Sequence, residues 1–164
     1  MEIAIVGDSH IPSREPHVPD SFADRIRTAD HVIHTGDFDS KGALADMQDL
    51  APELTAVHGN MDPEIGLPTT VSLVLGGVEF VVTHGTGSPR GWESRVRTAV
   101  DEHASTTPAV GVAGHTHEVT DVERDGVRIL NPGSVTGASP ADRPTMMTAT
   151  VDDGLRDVTV HELS

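Results

Sequence analysis

The sequence contains no cysteine and no tyrosine, and it has only one tryptophan and three phenylalanines. The absence of cysteine excludes disulfide bonds and thiolate metal ligands. Any metal ion must therefore be held by histidine, aspartate, asparagine or glutamate. No apolar run reaches the roughly 18 residues that a membrane-spanning helix needs, so no association with a membrane is expected.

Basic residues are also scarce, with 11 against 26 acidic residues and a net charge of −15, and Lys41 is the only lysine. This deficit argues against binding of extended nucleic acid. The charge fits either an ordinary solvated acidic surface or adaptation to molar salt, where the Debye length falls to roughly 3 Å. The shortage of lysine and aromatic residues favours adaptation to salt. A small anionic substrate stays compatible with the charge, because a bound metal ion outweighs the global field locally.

The length of 164 residues suits one domain, and no linker or internal repeat divides residues 1–164. The chain enters an apolar strand pattern at Glu2 without a basic leader segment, which indicates no signal peptide and a cytoplasmic location. Buried strands are predicted over 2–6, 31–35 and 54–58. Helices between them begin at Asp20 or Ser21 and at Ser40. This βαβαβ order favours parallel strands with right-handed crossovers.

The second half of the chain is richer in strand patterns. A hairpin is predicted over 71–82 around Gly76-Gly77, then a helix over 90–104 and a buried strand over 109–113. Short strands follow over 118–123, 127–130, 145–151 and 155–161. The sequence therefore predicts an α/β protein with two β-rich halves.

Metal-competent side chains follow five of the predicted strands: Asp8, His10, Asp37, Asn60, His84, His115 and His117. Open α/β sheets place ligand sites at the carboxyl ends of their strands. Each residue also has an ordinary interpretation. Asp37 is a candidate helix cap, Asn60 a left-handed turn residue, and His84 a buried core histidine. Their repetition at strand ends predicts a metal site.

Five motifs in this order resemble those of the calcineurin-like metallophosphoesterases: Asp8-x-His10, Gly36-Asp37, Gly59-Asn60, His84 and Gly114-His115-x-His117. The match runs from residue 7 to residue 117, and Asn131-Pro132-Gly133-Ser134 extends it. The short length resembles the small microbial phosphodiesterase branch, whose fold is also that of a retromer subunit. The resemblance implies a single-domain αββα sandwich, in which two mixed β-sheets are flanked by helices.

The resemblance also implies a binuclear metal centre. One divalent ion is held by Asp8, His10, Asp37 and His117, and the other by Asp37, Asn60, His84 and His115, with Asp37 bridging. Manganese is the first expectation, and nickel, iron, cobalt and zinc also suit these ligands. A hydroxide bridging the metals then attacks phosphorus in line. Asp37, Asn60 and His115 are the implied catalytic residues.

Two positions depart from the family pattern. Many members carry a histidine directly after the asparagine, where it protonates the leaving group, whereas this chain has Met61 followed by Asp62. Methionine transfers no proton, so general-acid help worth roughly 10²–10⁴-fold is missing or comes from elsewhere. Thr86 stands where the branch often has a second histidine, which affects substrate contacts.

Four residues near the motifs are candidates for supporting roles. Asp62 is expected to orient His10 or the surroundings of Asn60. Gly85 is expected to let the backbone pass close to the metals. Thr86 and Ser134, or a backbone N–H near Ser134, are candidate substrate contacts.

The resulting hypothesis is a phosphodiesterase acting on a small phosphate ester. The enzymatic alternatives are a phosphomonoesterase such as a nucleotidase, or a nucleotide pyrophosphatase, because the site chemistry is shared. A non-catalytic protein–protein scaffold of the same fold is the alternative of another class. Homodimers occur among similar proteins, so a homodimer is compatible with the resemblance.

Overall fold

The computed structural model describes all 164 residues, which form ten strands and three helices. In chain order these are β1 (Glu2–Val6), α1 (Asp20–Thr28), β2 (His31–His34), α2 (Lys41–Leu50), β3 (Leu54–Ala56), β4 (Thr70–Leu75), β5 (Val78–Thr83), α3 (Trp92–His103), β6 (Val110–Val112), β7 (Thr120–Arg124), β8 (Val127–Asn131), β9 (Thr145–Val151) and β10 (Leu155–Glu162). None of the three helices has the length and apolar character that crossing a membrane requires.

The strands make two mixed sheets of five strands each. The first has the order β10-β9-β1-β2-β3, and the second has the order β4-β5-β6-β8-β7. β1, β2 and β3 run parallel, as the βαβαβ pattern predicts, while β9 lies antiparallel to β1. In the second sheet, β6 lies parallel to both β5 and β8. The parallel strands of both sheets provide the carboxyl ends at which the predicted ligands lie.

Both faces of β1 are buried, which explains its continuous apolar run. Ile3 and Ile5 pack into the core between the two sheets. Ala4 and Val6 face the opposite way, into the core beneath α1 and α2. On the outer face of the second sheet, Val96 of α3 packs against the strands. The layers are therefore helix, sheet, sheet and helix, and the predicted αββα fold class is confirmed.

The predicted element ends need small corrections. Neither Asp20 nor Ser21 caps α1, because Pro19 holds the cap position and makes no side-chain bond. Ser40 does cap α2, since its Oγ accepts from the Ala43 N–H at 3.0 Å. His103, in the last turn of α3, is exposed.

Glu79 is a buried carboxylate far from the predicted ligands, and its side chain ties β5 to the turn after α3. It accepts from the Ser72 hydroxyl at 2.6 Å, the Ser105 N–H at 2.8 Å and the Thr106 N–H at 2.8 Å. These hydrogen bonds, that from Ser72 above all, lower the pKa of Glu79 to about 2 from 4.5. The anionic form is therefore stabilised in the folded protein.

We expect Glu79→Gln to destabilise the protein most at neutral pH. Because the folded pKa lies below the unfolded one, the contribution of Glu79 is complete above pH 4.5 and is lost as the pH falls through about 2. The difference in unfolding free energy between wild type and variant should thus shrink between pH 4.5 and pH 2. Urea unfolding across this range tests it, with exposed Glu102→Gln as the control. A pH-independent difference would show that the charge of Glu79 is unimportant.

Candidate metal centre

The seven predicted ligands meet at one edge of the two sheets. Asp8 and His10 follow β1, Asp37 follows β2, Asn60 follows β3, His84 follows β5, and His115 and His117 follow β6. All of these strands end toward the same edge because they run parallel within their sheets. The spatial arrangement that the strand-end pattern predicts is therefore present, while metal ligation by these residues stays a prediction.

Asp8, His10 and His117 form a first group of ligand atoms, all within 4.8 Å of one another. The Nε2 atoms of His10 and His117 lie 3.1 Å apart. Asp8 Oδ1 lies 3.5 Å from His117 Nε2 and 4.0 Å from His10 Nε2. All three side chains are buried.

Asp37, His84 and His115 form a second group. Asp37 Oδ2 lies 3.1 Å from His84 Nε2, and Asn60 Oδ1 lies 3.1 Å from His115 Nδ1. The same Asp37 oxygen is 3.5 Å from His10 Nε2, which belongs to the first group. One carboxylate oxygen therefore lies between the two groups.

Backbone carbonyls orient two of the imidazoles. His84 Nδ1 lies 2.7 Å from the Thr35 carbonyl, and His117 Nδ1 lies 2.8 Å from the Ala138 carbonyl. Because a carbonyl oxygen only accepts, each Nδ1 carries the proton. In both rings Nε2 is therefore the nitrogen that faces the centre, and it would offer its lone pair to a metal ion there.

The other two imidazoles are held differently. His115 Nε2 lies 2.8 Å from the Gly87 carbonyl, so Nε2 donates and Nδ1 faces the centre. His10 Nδ1 lies 2.9 Å from both oxygens of Asp39, a carboxylate–histidine pair. No sequence motif indicates that Asp39 contacts His10. The only available signal was its position two residues after Asp37.

The backbone at the centre takes an uncommon conformation. Asp8, His10, Asp37, His115 and His117 are non-glycine residues with φ between 47° and 75°. Such residues cost free energy unless surrounding structure fixes them, and they cluster at functional sites. Here the Asp8 N–H donates to the Gly36 carbonyl, and the His10 N–H donates to the Asp37 carbonyl, each at 3.0 Å. These hydrogen bonds join the loop after β1 to the loop after β2 and fix the conformation of both.

Burial controls the protonation of Asp8. It raises the pKa of the carboxyl to about 7, with the neighbouring Asp37 charge acting in the same direction and His84 opposing it. Oδ2 accepts the His115 N–H at 3.0 Å, whereas Oδ1 is buried without a hydrogen-bond partner. Asp8 therefore gives the centre one buried acceptor oxygen that nothing in the protein satisfies.

His84, unlike Asp8, is stabilised in its charged form. Burial lowers its pKa, but the contact with Asp37 and the charge of Asp8 outweigh that effect and raise the pKa to about 9. The contact with His84 and the charge of that imidazole, with the Met61 N–H and His10 adding to them, lower the pKa of Asp37 against the effect of burial. His84 Nε2 is also buried without an aligned partner and lies 3.8 Å from Asp8 Oδ1. Two unsatisfied ligand atoms in a negative potential fit a divalent cation, which would replace the proton at His84.

Asp62 lies beside the centre but does not contact His10, where Asp39 takes the predicted orienting role. Its carboxylate accepts from the backbone N–H groups of Asp37 at 3.0 Å, Asp39 at 2.9 Å and Gly59 at 2.8 Å. It thereby joins the loops after β2 and β3. Asp62 supports the geometry of Asp37 through the backbone.

Two further candidates are held by contacts within the protein. A Cβ on Gly85 would lie 2.5 Å from Trp92 Nε1, and φ is +86°, so the close approach of the indole requires glycine here, while the expected approach to the metals stays a prediction. Ser134 is fully buried and donates to the Asp8 carbonyl at 2.8 Å, which leaves no room for substrate at its hydroxyl. Thr86 is exposed beside Asn60 and His84, where substrate contact is feasible.

Comparison with known proteins agrees with these features. Residues 1–154 match the family model of the calcineurin-like phosphoesterase superfamily domain. A probable metallophosphoesterase from Methanothermobacter thermautotrophicus is 33% identical over 154 residues, covering 93% of this chain and 87% of that protein. A probable metallophosphoesterase from Methanocaldococcus jannaschii is 33% identical, covering 83% of this chain and 69% of that protein.

Solved structures show the same fold. Vps29 from Entamoeba histolytica in complex with Zn²⁺ is 26% identical, with a TM-score of 0.76 and coverage of 99% of this chain and 98% of that chain. The TM1076 protein of Thermotoga maritima is 29% identical, with a TM-score of 0.74 and 99% coverage of both chains. Vps29 from Chaetomium thermophilum, 19% identical, shares the fold with a TM-score of 0.80 over 99% of this chain and 97% of that chain. Together with the family match over residues 1–154, these findings show that the chain belongs to the calcineurin-like phosphoesterase superfamily.

Proposed function

We propose that this protein is a metal-dependent phosphodiesterase with a binuclear centre. The membership of the superfamily supports a metal-dependent phosphoester hydrolase. The observation that carries the binuclear proposal is the position of Asp37 Oδ2, which lies 3.5 Å from His10 Nε2 and 3.1 Å from His84 Nε2. A carboxylate between two groups of ligands is suited to bridging two cations.

In this proposal Asp8, His10 and His117 hold one ion, Asn60, His84 and His115 hold the other, and Asp37 touches both. The donor set of carboxylate and amide oxygens with imidazole nitrogens suits manganese first, and also nickel, iron, cobalt or zinc. When bound, such a pair supplies a hydroxide near neutral pH and neutralises phosphoryl oxygens. Asp39 and the carbonyls of Thr35, Gly87 and Ala138 orient the histidines.

The open side of the centre determines where substrate approaches. Asp8, His10, Asp37, His84 and His117 are all buried. Asn60, by contrast, is exposed and His115 is half-buried. The Asn60 amide N–H₂ is thus available to donate to a phosphoryl oxygen while its Oδ1 faces the centre. Asn60 and His115 are for this reason the substrate-side members of the proposed catalytic set.

The leaving group receives no proton from the residue after Asn60. Met61 is 50% exposed and has no titratable group. Asp62, the next residue, already accepts three backbone N–H groups. Without a proton from these two residues, a leaving group that is stable as an anion departs most readily, which favours activated aryl diesters in the test tube.

We expect bis-p-nitrophenyl phosphate to be hydrolysed faster than p-nitrophenyl phosphate, because a diester carries less charge into the acidic surroundings. Both esters release the same aryloxide, which needs no general acid, so the missing acid limits neither of them. The measurement is kcat/KM for both esters in molar KCl, after chelation and with Mn²⁺ restored. A preference for the monoester would move the function to a phosphomonoesterase such as a nucleotidase, and nucleotide substrates test the pyrophosphatase alternative.

The similarity to Vps29 supports a second candidate, a protein–protein scaffold that does not hydrolyse esters. Against it stands the full set of seven ligand-type side chains at one place, which a scaffold does not need. Metal analysis after incubation with Mn²⁺ separates the two. Two bound ions with turnover support the phosphodiesterase, whereas a protein that takes up no metal supports the scaffold. A KCl titration of the same activity tests the proposed adaptation to molar salt.

A further inference from the structure

The loop between β5 and α3, residues 84–91, is rich in glycine. Gly85, Gly87 and Gly91 have φ of 86°, 129° and 82°, a range that favours glycine. Glycine loses more conformational freedom on folding than any other residue, so this loop is costly to hold in one conformation. Contacts from neighbouring elements must offset that cost.

Arg95 of α3 binds this loop through three of its carbonyl groups. Its Nη2 donates to the Gly85 carbonyl at 3.1 Å and to the Ser88 carbonyl at 2.6 Å, and its Nη1 donates to the Arg90 carbonyl at 3.3 Å. A Cβ on Gly87 would lie 3.0 Å from Arg95 Cζ, so the backbone of Gly87 packs directly on the guanidinium. One planar side chain therefore holds the loop on both sides of Gly87.

Arg95 differs in these contacts from most arginines of the chain. Five arginines pair with carboxylates at 2.6–3.4 Å: Arg27, Arg97, Arg124, Arg128 and Arg143. Arg95 makes no ion pair, although the chain has 26 acidic residues, and its Nε is buried without a hydrogen-bond partner. A buried N–H that is left unpaired costs free energy. The contacts that this guanidinium makes are those to the loop carbonyls.

His115 is the ligand-type residue that depends on this loop. Its Nε2 donates to the Gly87 carbonyl at 2.8 Å, and its Nδ1 lies 3.1 Å from Asn60 Oδ1, on the side of the centre. The other three imidazoles of the centre are buried, whereas His115 is half-buried and is less restrained by packing. The Gly87 carbonyl therefore fixes the orientation of the His115 ring.

We infer that Arg95 is a positioning residue for the second ion of the proposed centre, the ion on the side of Asn60 and His115. It fixes the loop on both sides of Gly87, and the Gly87 carbonyl keeps His115 Nδ1 turned toward that ion. The inference rests on the proposed function, because it requires two ions. Loss of a partner that orients a metal ligand typically costs about 10–100-fold in metal affinity.

Calorimetric titration with Mn²⁺ measures the affinity of each ion in wild type and in Arg95→Met, which removes every donor and keeps an extended side chain. We expect the second ion to bind about tenfold more weakly in the variant, and the first ion to bind within about twofold of wild type. Arg97→Met is the matched control, because Arg97 also lies on α3 and donates to loop carbonyls, those of Arg124 and Asp125. It should change neither affinity.

Arg95→Lys separates the positive charge from the hydrogen bonds. Lysine keeps the charge, but its single ammonium group does not reproduce the planar fork that spans the three carbonyls. We therefore expect Arg95→Lys to lose second-ion affinity as Arg95→Met does. Wild-type affinity in Arg95→Lys would show that charge alone is required, which contradicts the inference.

A double-mutant cycle with His115→Ala tests whether Arg95 acts through His115. His115→Ala also identifies the second ion, as the one whose binding it weakens. Adding Arg95→Met to His115→Ala should cost about twofold or less, since the imidazole that Arg95 positions is absent. A merely structural role would lower the second-ion affinity by the same factor in both backgrounds, which would overturn the inference.

Gly87→Ala tests the same contact from the loop. The added methyl group would lie 3.0 Å from Arg95 Cζ, and φ of 129° is unfavourable for alanine. We expect the same selective loss of the second ion, so the inference stays testable if Arg95→Met folds poorly.

Metal binding and turnover fail separately. Unchanged second-ion affinity in Arg95→Met, or an equal loss at both ions, would overturn the inference. It would leave the proposed function intact, provided that wild type binds two ions and hydrolyses bis-p-nitrophenyl phosphate. Selective loss of the second ion in a protein that hydrolyses no diester would support the inference and contradict the proposed function. A wild-type protein that binds fewer than two ions would contradict both.

Discussion

Asp37→Asn is expected to lower hydrolysis of bis-p-nitrophenyl phosphate by about 10³-fold, a loss of roughly 4 kcal/mol in transition-state stabilisation. The substitution removes one negative charge from the oxygen that lies between His10 Nε2 and His84 Nε2. In the wild-type protein the Met61 N–H donates to Asp37 Oδ1 at 2.9 Å. The amide oxygen of asparagine can accept the same hydrogen bond. The loop after β3 should therefore keep its position while the charge between the two groups is lost.

The measurement is kcat/KM with saturating Mn²⁺, together with the metal content of each protein. Asp46→Asn, an exposed site on α2, controls for the change in net charge. Asp39→Asn is an intermediate case, because the Asp39 carboxylate contacts His10 Nδ1 and the Ser13 hydroxyl but does not lie between the two groups of ligand atoms. Loss of an orienting partner of this kind typically costs 10–100-fold. Wild-type turnover by Asp37→Asn at full metal occupancy would contradict the binuclear mechanism.

The order of effects matters as much as their size. If Asp37 bridges, its variant should lose more activity than the Asp39 variant and should bind the second ion more weakly. If Asp37 only fixes the loop, the two variants should lose similar amounts and keep the same metal content. Metal titration of both variants, read by calorimetry, distinguishes the two cases independently of turnover.

The ends of β1, β2 and β6 could be predicted from the sequence because each strand is a short, largely apolar segment that is followed within two residues by glycine. In the structure these runs are buried on both faces, as for β1 with Ile5 in one core and Val6 in the other. Neighbouring parallel strands then have their carboxyl ends at the same edge of the sheet, and this does not depend on how the helices pack. The positions of the seven ligand-type residues follow from topology alone.

The surroundings of those residues could not be predicted in this way. Asp39 and Asp62 are both acidic and both near the motifs, yet only Asp39 reaches His10. The choice depends on turns in which Asp37 and Asp39 take φ of 63° and 76°, a conformation that local sequence preference does not specify for aspartate. Gly85 likewise depends on where Trp92 of α3 packs, a contact between segments that sequence patterns do not encode.

His34 is a buried histidine next to the loops of the candidate centre, and its hydrogen bonds fix which ring nitrogen carries the proton. It is fully buried at the end of β2 and stacks on Phe38, with ring centroids 3.7 Å apart. Its Nδ1 accepts the Gly36 N–H at 3.0 Å, so the proton resides on Nε2, which donates to Ser9 Oγ at 2.8 Å. Both nitrogens are satisfied only in the neutral ring, which holds the loops after β1 and β2 together.

Burial, with the charge of His84 adding to it, lowers the pKa of His34 to about 3 from 6.5. Because the folded pKa lies below the unfolded one, the unfolded chain binds a proton between these values and the folded protein does not. The contribution of His34 is therefore complete above pH 6.5 and is lost progressively as the pH falls toward 3. Asp8, whose folded pKa is raised to about 7, acts in the opposite direction over much of the same range.

Comparison of wild type with His34→Gln isolates the histidine, because Asp8 is common to both proteins. We expect the difference in unfolding free energy to be largest above pH 6.5 and to decrease by about 4 kcal/mol on acidification toward pH 3, since one pKa unit corresponds to 1.36 kcal/mol. Urea unfolding with EDTA present measures this difference, and exposed His103→Gln serves as the control.

The ring itself offers an independent measurement that needs no variant. In the folded protein the ¹³C and ¹⁵N resonances of His34 should stay those of a neutral Nε2–H ring down to about pH 4. A His34 ring that becomes protonated near pH 6.5 without unfolding would contradict the assignment. In that case its bond to the Gly36 N–H would not be what holds the Gly36-Asp37 turn, and Asp62, which accepts the Asp37 N–H, would be left as the main support of that turn.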